Sequence, residues 1–316
     1  MKRIKKIFFN TILLLIFALL ISDARTYCSA SNSRLRVPVR FTNRPDKTTK
    51  TLPGYNNTIV EEITKNVAPE NDKLVSMVII DGVSSGGKST LAEKIQEFAS
   101  QDYHILYVSS DLFVNTSSPK PSQLLVYLFD MIRGAWPGRN DAAFKLFFDL
   151  KKVTAFKKWL AASLDLLEKS PDETFTKEME LKDPAFHTAF NKTVLKTVVF
   201  ELTKKTLIII EGPIARKLFG GMSKKIKGKS ICVLCKSLLI KQRIKNRLEK
   251  EGGSALERWL YATISTLSGI YDYYNKDIAE GKFDYVINTD QIKTPQLMRY
   301  NRAEQKLQTI KLQTKI

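Results

Sequence analysis

Residues 74–95 read LVSMVIIDGVSSGGKSTLAEKI, and three kinds of segment follow one another in this stretch. The first is an apolar run broken only at Ser76, which is typical of a strand buried on both faces of a parallel sheet. A glycine-rich loop, residues 82–89, comes next, and the residues after it have the apolar spacing of a helix. A strand, a loop of this composition and a helix in this order predict a phosphate-binding loop of the Walker A type.

The loop contains the residue types that phosphate binding needs. Glycines allow backbone N–H groups to converge on phosphate oxygens, and the N-terminus of the following helix adds its positive end. The predicted phosphate-binding residues are Gly82, Ser84, Ser85, Gly86, Gly87, Lys88, Ser89 and Thr90. In this pattern Lys88 supplies a positive charge to the β- and γ-phosphates, and the hydroxyl of Ser89 is placed to ligate Mg²⁺.

Four further apolar runs predict the remaining strands of a sheet. They are residues 104–108, 206–210, 230–235 and 283–288. Asp111 follows the second strand and Glu211 follows the third, at the edge where ligands bind in such sheets. Asp111 could therefore accept the proton of an attacking hydroxyl, and Glu211 could hold Mg²⁺ directly or from one shell further out. For each, the alternative is an acidic residue in a turn at the end of a strand.

Two other segments bear on the chemistry. A basic helix after the fourth strand carries Arg243 and Arg247 on one face, where they could fold over transferring phosphates or simply face solvent. The segment between the second and third strands is longer than an ordinary crossover and includes a helical stretch from Asp141 to Glu168. We expect a helical insert there, in which an acceptor pocket would form.

These motifs together resemble the P-loop small-molecule kinases. The Asp-x-Phe after the second strand and the Glu-Gly after the third, residues 111–113 and 211–212, are similar to uridine-kinase-like proteins. The Ser-Ser before Gly86, and residues 235–238 leading into the basic helix, are similar to chloramphenicol-phosphotransferase-like proteins. The resemblance extends over residues 73–290 and includes Asp284-Tyr285-Val286-Ile287 in the last strand.

The resemblance implies a fold and a set of roles. The fold would be an α/β P-loop NTPase fold of three layers, with a five-stranded parallel sheet in the order 2-3-1-4-5 and a helical insert between strands 2 and 3. The implied cofactors are ATP and Mg²⁺, with Lys88 and Ser89 on both. The other implied catalytic residues are Asp111, as the base, and Arg243 and Arg247, in a lid.

Three functions are compatible with the sequence. The favoured one transfers the γ-phosphoryl group of ATP to a hydroxyl of a small molecule, nucleoside-like or antibiotic-like. The second is a P-loop nucleotide hydrolase or switch that a partner protein regulates, in which Asp111 only caps a turn. The third is a basic nucleic-acid-binding P-loop ATPase that uses the formal net charge of +19. It ranks last because the sequence has no recognised nucleic-acid fold motif, and part of the charge lies near the two ends.

Composition excludes some other classes. A chain of 316 residues with 43% hydrophobic residues has the ordinary composition of a globular protein. Three cysteines and two histidines leave no zinc-ligand spacing and no disulfide framework.

The remaining segments predict an export leader, a linker and a tail. Residues 1–30 contain a basic start, an apolar run shorter than a membrane span and the small-residue site Cys28-Ser29-Ala30, as secretory signal peptides do. An uncleaved membrane anchor and a cytosolic leader are the alternatives. Residues 31–72 read as a polar linker, residues 73–291 as the kinase domain, and residues 292–316 as a basic tail. The apolar spacing of the tail predicts a surface helix, either solvated or in contact with an anionic surface.

Overall fold

The structure, a computed structural model, describes residues 55, 57–69, 75–113, 148–180, 197–222, 226–250, 255–266, 268–291 and 295–310. The predicted leader, residues 1–30, lies outside these ranges, so export or anchoring stays a prediction. Within these ranges, no helix combines the length and the apolar character that crossing a membrane requires.

Helices and strands alternate along most of the described chain. The helices are α1 (Asn57–Val67), α2 (Lys88–Ala99), α3 (Leu150–Lys169), α4 (Ala215–Phe219), α5 (Ser237–Lys250), α6 (Ala255–Ile264) and α7 (Ser268–Ala279), with a short 3-10 helix at Ser110–Phe113. The strands are β1 (Val75–Gly82), β2 (His104–Ser109), β3 (Phe175–Glu180), β4 (Thr197–Leu202), β5 (Thr206–Glu211), β6 (Lys227–Leu234), β7 (Tyr285–Asn288), β8 (Gln296–Asn301) and β9 (Lys306–Thr309).

The central sheet confirms the predicted fold class. In the described part of the chain it has seven strands, in the order β2-β5-β1-β6-β7-β8-β9. The first five are parallel and are the five predicted strands in the predicted order 2-3-1-4-5. The antiparallel strands β8 and β9 extend the sheet beyond the prediction.

Side chains of β1 show why the fold has three layers. Met77 and Ile79 point to one face, where they join the buried apolar residues of α3, α4, α5 and α7. Val78 and Ile80 point to the opposite face, where they join those of α1 and α2. Because successive side chains of a strand alternate between faces, a strand with apolar residues on both faces requires cover on both sides.

Helix α1 corrects the predicted linker, which included residues 57–67. Its buried residues are Ile59, Val60, Ile63, Thr64 and Val67, which recur on one face of the helix. This face packs against α2 and the sheet, whereas an isolated helix of 11 residues would be marginal in water. The apolar residues have helical spacing over a short segment only, and tertiary packing stabilises the helix.

Strands β8 and β9 correct the predicted surface helix at the C-terminal end. Leu297 is buried and belongs to the α1 and α2 side of the core, and its carbonyl accepts the backbone N–H of Ile310 at 3.0 Å. The polar residues around Leu297 are mostly exposed, since these strands lie at the outer edge of the sheet. The sparse apolar residues therefore anchor antiparallel strands and not a helix.

The insert between β2 and β5 is helical in part. Helix α3 accounts for the predicted helical stretch from residue 150 onward, and the side chain of Asp149 caps it by accepting the N–H groups of Lys151 and Lys152. The antiparallel pairing of β3 with β4 was not predicted. Residues 114–147 and 181–196, where we expected part of the acceptor pocket, lie outside the described residues.

An aromatic cluster joins the insert to the rest of the fold. Phe156 of α3 is fully buried, and its ring contacts the rings of Phe113, Phe200 and Phe219 at centroid distances of 4.9 to 5.8 Å. These three rings come from the 3-10 helix, β4 and α4. The cluster thus packs the insert beneath the turn that contains Asp111.

We expect Phe156→Ala to lower the free energy of unfolding by about 3–5 kcal/mol, because it removes a buried ring and leaves a cavity. Chemical denaturation monitored by circular dichroism measures the loss. Lys158→Ala, on the exposed face of the same helix, is the control and should change the free energy of unfolding by less than about 0.5 kcal/mol. Equal losses in the two variants would contradict the packing described here.

Candidate phosphate-binding site

The carboxyl ends of three neighbouring strands bring the predicted site residues to one edge of the sheet. Gly82 ends β1, residues 84–87 form the loop, and Lys88, Ser89 and Thr90 form the first turn of α2. Strand β5 ends at Glu211, which lies opposite Ser109 of β2 and Ile80 of β1 in the sheet register. The segment with Asp111 begins directly after Ser109.

Hydrogen bonds from several elements hold the carbonyl groups of the loop. The pairs are Lys88 Nζ to Val83 O at 2.8 Å, Arg243 Nη1 to Ser85 O at 3.3 Å, Thr289 Oγ1 to Gly86 O at 2.8 Å and Tyr55 Oη to Gly87 O at 3.2 Å. The first N–H groups of a helix have no carbonyl partner within that helix, and here they belong to the start of α2. The loop carbonyls are thus bonded to other groups, and the N–H groups lie at the start of α2. This arrangement favours the binding of an anion at the loop.

Lys88 adds the positive charge expected of this loop. Its side chain is buried, with only 6% of the residue exposed, and its ammonium donates to the loop carbonyl of Val83. The charge is therefore held against the loop by the loop's own backbone, at the edge of the sheet where a phosphate would lie.

A cluster of oxygen ligands lies beside the loop. Glu211 is buried, and its two carboxylate oxygens accept the hydroxyl of Ser89 at 3.2 Å and that of Ser109 at 2.9 Å. Carboxylate and hydroxyl oxygens are hard ligands of the kind that Mg²⁺ prefers, so these residues fit the expected ion. The prediction paired Ser89 with Glu211 and did not include Ser109.

Asp111 lies in the 3-10 helix that follows β2. Its backbone is two residues beyond Ser109, the register partner of Glu211, so the turn is at the correct edge of the sheet for a base acting on an acceptor. The role of Asp111 as a base stays a prediction, and a residue in a turn stays its alternative.

The two predicted lid arginines occupy different environments on α5. Arg243 is half-buried and donates to the backbone carbonyls of Ser85 at 3.3 Å and Thr289 at 2.8 Å. Arg247, one turn further along the helix, is exposed. The structure thus brings Arg243 to the phosphate loop, and the lid function of both arginines stays a prediction.

Asp81 is a buried carboxylate that the sequence did not mark as functional, although it directly precedes the loop. Its donors are the backbone N–H groups of Gly82, Ile214 and Arg216 and the hydroxyl of Tyr274, at 2.6, 2.8, 3.0 and 2.8 Å. Burial raises the pKa of Asp81 above its usual value, although these hydrogen bonds act in the opposite direction. The position could have been noticed as an acidic residue within an otherwise apolar strand.

Comparisons with known proteins return solved structures only. No family model and no curated protein matches the chain. Phosphoribulokinase from Rhodobacter spheroides is 11% identical, with a TM-score of 0.38 over 73% of this chain and 81% of the other. D-glycerate 3-kinase from Cryptococcus neoformans is 10% identical, with a TM-score of 0.39 over 76% of this chain and 99% of the other. A structure described as a possible uridine kinase from Bacillus stearothermophilus is 16% identical, with a TM-score of 0.36 over 72% and 96%.

The strand order and the loop of this chain define its class without those similarities. Five parallel strands in the order β2-β5-β1-β6-β7, a glycine-rich loop after β1 and an acidic residue at the end of β5 constitute a P-loop NTPase fold. This agrees with the resemblance that the motifs carry.

We expect Tyr274→Phe to destabilise the protein in a pH-dependent way. Because the pKa of Asp81 is raised in the folded state, its contribution to stability is fully present below the unfolded value of about 3.8 and is lost as the pH rises through the folded-state pKa. Loss of the Tyr274 hydroxyl raises this pKa further, so the variant is most destabilised where Asp81 is charged. At pH values where Asp81 is charged the cost should be about 1.5–3 kcal/mol.

Denaturation of both proteins from pH 4 to pH 8 measures this cost, and the difference between wild type and variant should increase with pH. The control is Tyr300→Phe, whose hydroxyl is directed at the carbonyl of Ala279 and not at a carboxylate. A cost for Tyr274→Phe that does not vary with pH would contradict the link to Asp81.

Proposed function

We propose that this protein is an ATP-dependent kinase that transfers the γ-phosphoryl group of ATP to a hydroxyl group of a small molecule. The observation that carries the proposal is the convergence of three features at one edge of the sheet. These are a loop whose carbonyls are hydrogen-bonded to other groups, the ammonium of Lys88, and the carboxylate of Glu211 with the hydroxyls of Ser89 and Ser109. Together they offer donors to a triphosphate and oxygen ligands to its counter-ion.

Each group has a role in this reaction. The N–H groups of the loop and Lys88 bind and orient the phosphates, and Ser89 and Glu211 would hold Mg²⁺. When bound, Mg²⁺ neutralises negative charge that develops on the phosphates during transfer. The acceptor oxygen forms a bond to the γ-phosphorus while the bond from that phosphorus to the β–γ bridging oxygen breaks, and ADP leaves. Asp111 takes the proton of the acceptor hydroxyl.

The acceptor is proposed only as a class, a small molecule with a free hydroxyl, either nucleoside-like or antibiotic-like. A panel of nucleosides and hydroxyl-bearing antibiotics, with ADP formation as the readout, tests the class directly. Stimulation of ADP formation by one member, together with a gain of one phosphoryl group in that compound by mass spectrometry, is the expected result. ADP formation that no compound stimulates would favour the hydrolase or switch.

We expect Lys88→Met to reduce ATP turnover roughly 10²-fold or more, because the phosphates lose a charged donor that the loop holds in place. A coupled assay of ADP formation measures the effect. Lys94→Met is the matched control on α2, since Lys94 forms an ion pair with Glu97 and is not part of the loop. Turnover that persists in Lys88→Met, in a protein that still unfolds cooperatively, would contradict the assignment of the loop.

We expect Asp111→Asn to slow phosphorylation of the acceptor by about 10²–10⁴-fold, because the variant cannot accept the proton. Affinity for ATP at saturating Mg²⁺ should stay within about twofold of wild type, since the role is assigned to the acceptor. The control is Asp102→Asn, in the exposed turn before β2 and so at the opposite edge of the sheet. Normal phosphorylation by Asp111→Asn would reduce Asp111 to a residue in a turn.

A further inference from the structure

Two side chains from outside the phosphate loop hold consecutive carbonyl groups within it. Thr289, just after β7, donates its hydroxyl to Gly86 O at 2.8 Å, and Tyr55, just before α1, donates to Gly87 O at 3.2 Å. Neither residue belongs to the glycine-rich motif, and 234 positions of sequence separate them (289 − 55). They approach the loop from different elements of the fold.

Peptide geometry gives these contacts a consequence for the N–H groups. A trans peptide is planar, and its carbonyl and the N–H of the next residue point in opposite directions. When Thr289 holds the carbonyl of Gly86, the N–H of Gly87 must point away from Thr289. The carbonyl of Gly87 accepts the N–H of Leu91 at 3.0 Å as well as the hydroxyl of Tyr55, so the N–H of Lys88 points away from both. These two N–H groups lie at the N-terminus of α2, where an anion is favoured.

The direction of the Thr289 proton follows from its neighbours. Its hydroxyl has one proton and faces two acceptors, Gly86 O at 2.8 Å and Leu234 O at 3.1 Å. Leu234 O already accepts the backbone N–H of Thr289 at 2.9 Å, and Arg243 Nη1 can only donate to the hydroxyl oxygen, from 3.3 Å. Gly86 O, the nearer of the two and the one that receives no N–H of Thr289, is therefore the better acceptor for this proton.

Tyr55 is equally constrained as a donor. It is 8% exposed, and burial raises the pKa of its hydroxyl, so the proton stays in place at neutral pH. Gly87 has a φ of 105°, and a Cβ at that position would lie 3.0 Å from the Tyr55 hydroxyl. A side chain at position 87 would therefore be strained by this φ and crowded by Tyr55, and glycine avoids both.

We propose that Thr289 and Tyr55 are positioning residues of the nucleotide site, which aim the N–H groups of Gly87 and Lys88 at the phosphates by holding the carbonyls of Gly86 and Gly87. The inference rests on the proposed function, because it needs a nucleotide in this loop. It adds that phosphate affinity depends on two hydroxyl groups outside the motif. Arg243 supports Thr289 by donating to its hydroxyl oxygen and its backbone carbonyl.

The test compares two probes, Mg-ATP and inorganic tripolyphosphate with Mg²⁺, by titration calorimetry. Thr289→Val keeps the shape of the side chain and removes the hydroxyl, and it should weaken both probes roughly 5–10-fold, as loss of one hydrogen bond implies. Thr289→Ser restores the hydroxyl and should bind within about twofold of wild type. Weakening of Mg-ATP alone would place the effect on the base or ribose and overturn the inference.

Two further variants separate positioning from general stability. Tyr55→Phe keeps the ring and loses only the hydroxyl, so it should weaken both probes in the same range even if Thr289→Val fails to fold. Thr206→Val removes another buried hydroxyl, which donates to Thr203 O at the opposite end of β5. It should lower the melting temperature and leave affinity for both probes unchanged.

The outcomes are distinct for the two proposals. A wild-type protein that binds neither probe contradicts the proposed function and this inference with it. A wild-type protein that binds both probes, with Thr289→Val and Tyr55→Phe binding them equally well, overturns the positioning role alone. Equal weakening by Thr206→Val would also overturn it, because the effect would then follow stability and not the loop.

Discussion

The buried carboxylate of Asp81 is the constraint on which the candidate site depends. A carboxyl group without solvent needs hydrogen bonds, and this one receives them from the start of the loop, from the turn after β5 and from α7. All three segments must therefore be in place together before the hydrogen bonds of this carboxyl group are complete. Glu211 ends the strand that leads into the turn held by Asp81, so the same requirement fixes the oxygen ligands relative to the phosphate loop.

The phosphate loop is also held by hydrogen bonds, but here the acceptors are backbone carbonyls and the donors are side chains. Its carbonyl groups are held by side chains just before α1, in α2, in α5 and just after β7. A glycine-rich loop alone has many conformations, and fixing one of them costs conformational entropy. Contacts to four elements of the fold meet that cost during folding, so the N–H groups are oriented before a ligand arrives.

The sequence could predict the parts of this structure that depend on runs of one residue type. The five parallel strands and their carboxyl-end residues, such as Glu211, follow from apolar runs and from the rule that ligands bind at that edge. Helix α1 and strand β8 were missed because each buries only a few apolar residues among polar ones. Thr289 and Tyr55 were missed for another reason. They contact backbone carbonyls, and a backbone partner leaves no pattern of residue types to detect.

Arg243 shows how a motif can be located correctly and still leave the role of a residue open. Sequence places Arg243 and Arg247 as a pair on one face of a helix, but the structure gives them unlike surroundings. Arg243 donates to the carbonyl of Ser85 and to both the hydroxyl oxygen and the carbonyl of Thr289. Because the Thr289 hydroxyl donates to Gly86 O, Arg243 also supports the Gly86 carbonyl. Moving it onto a transferring phosphate would break charge-assisted hydrogen bonds that hold the loop. The exposed Arg247 carries no such requirement in this arrangement. Of the two, Arg247 is therefore the residue whose side chain can move without breaking these contacts to the loop.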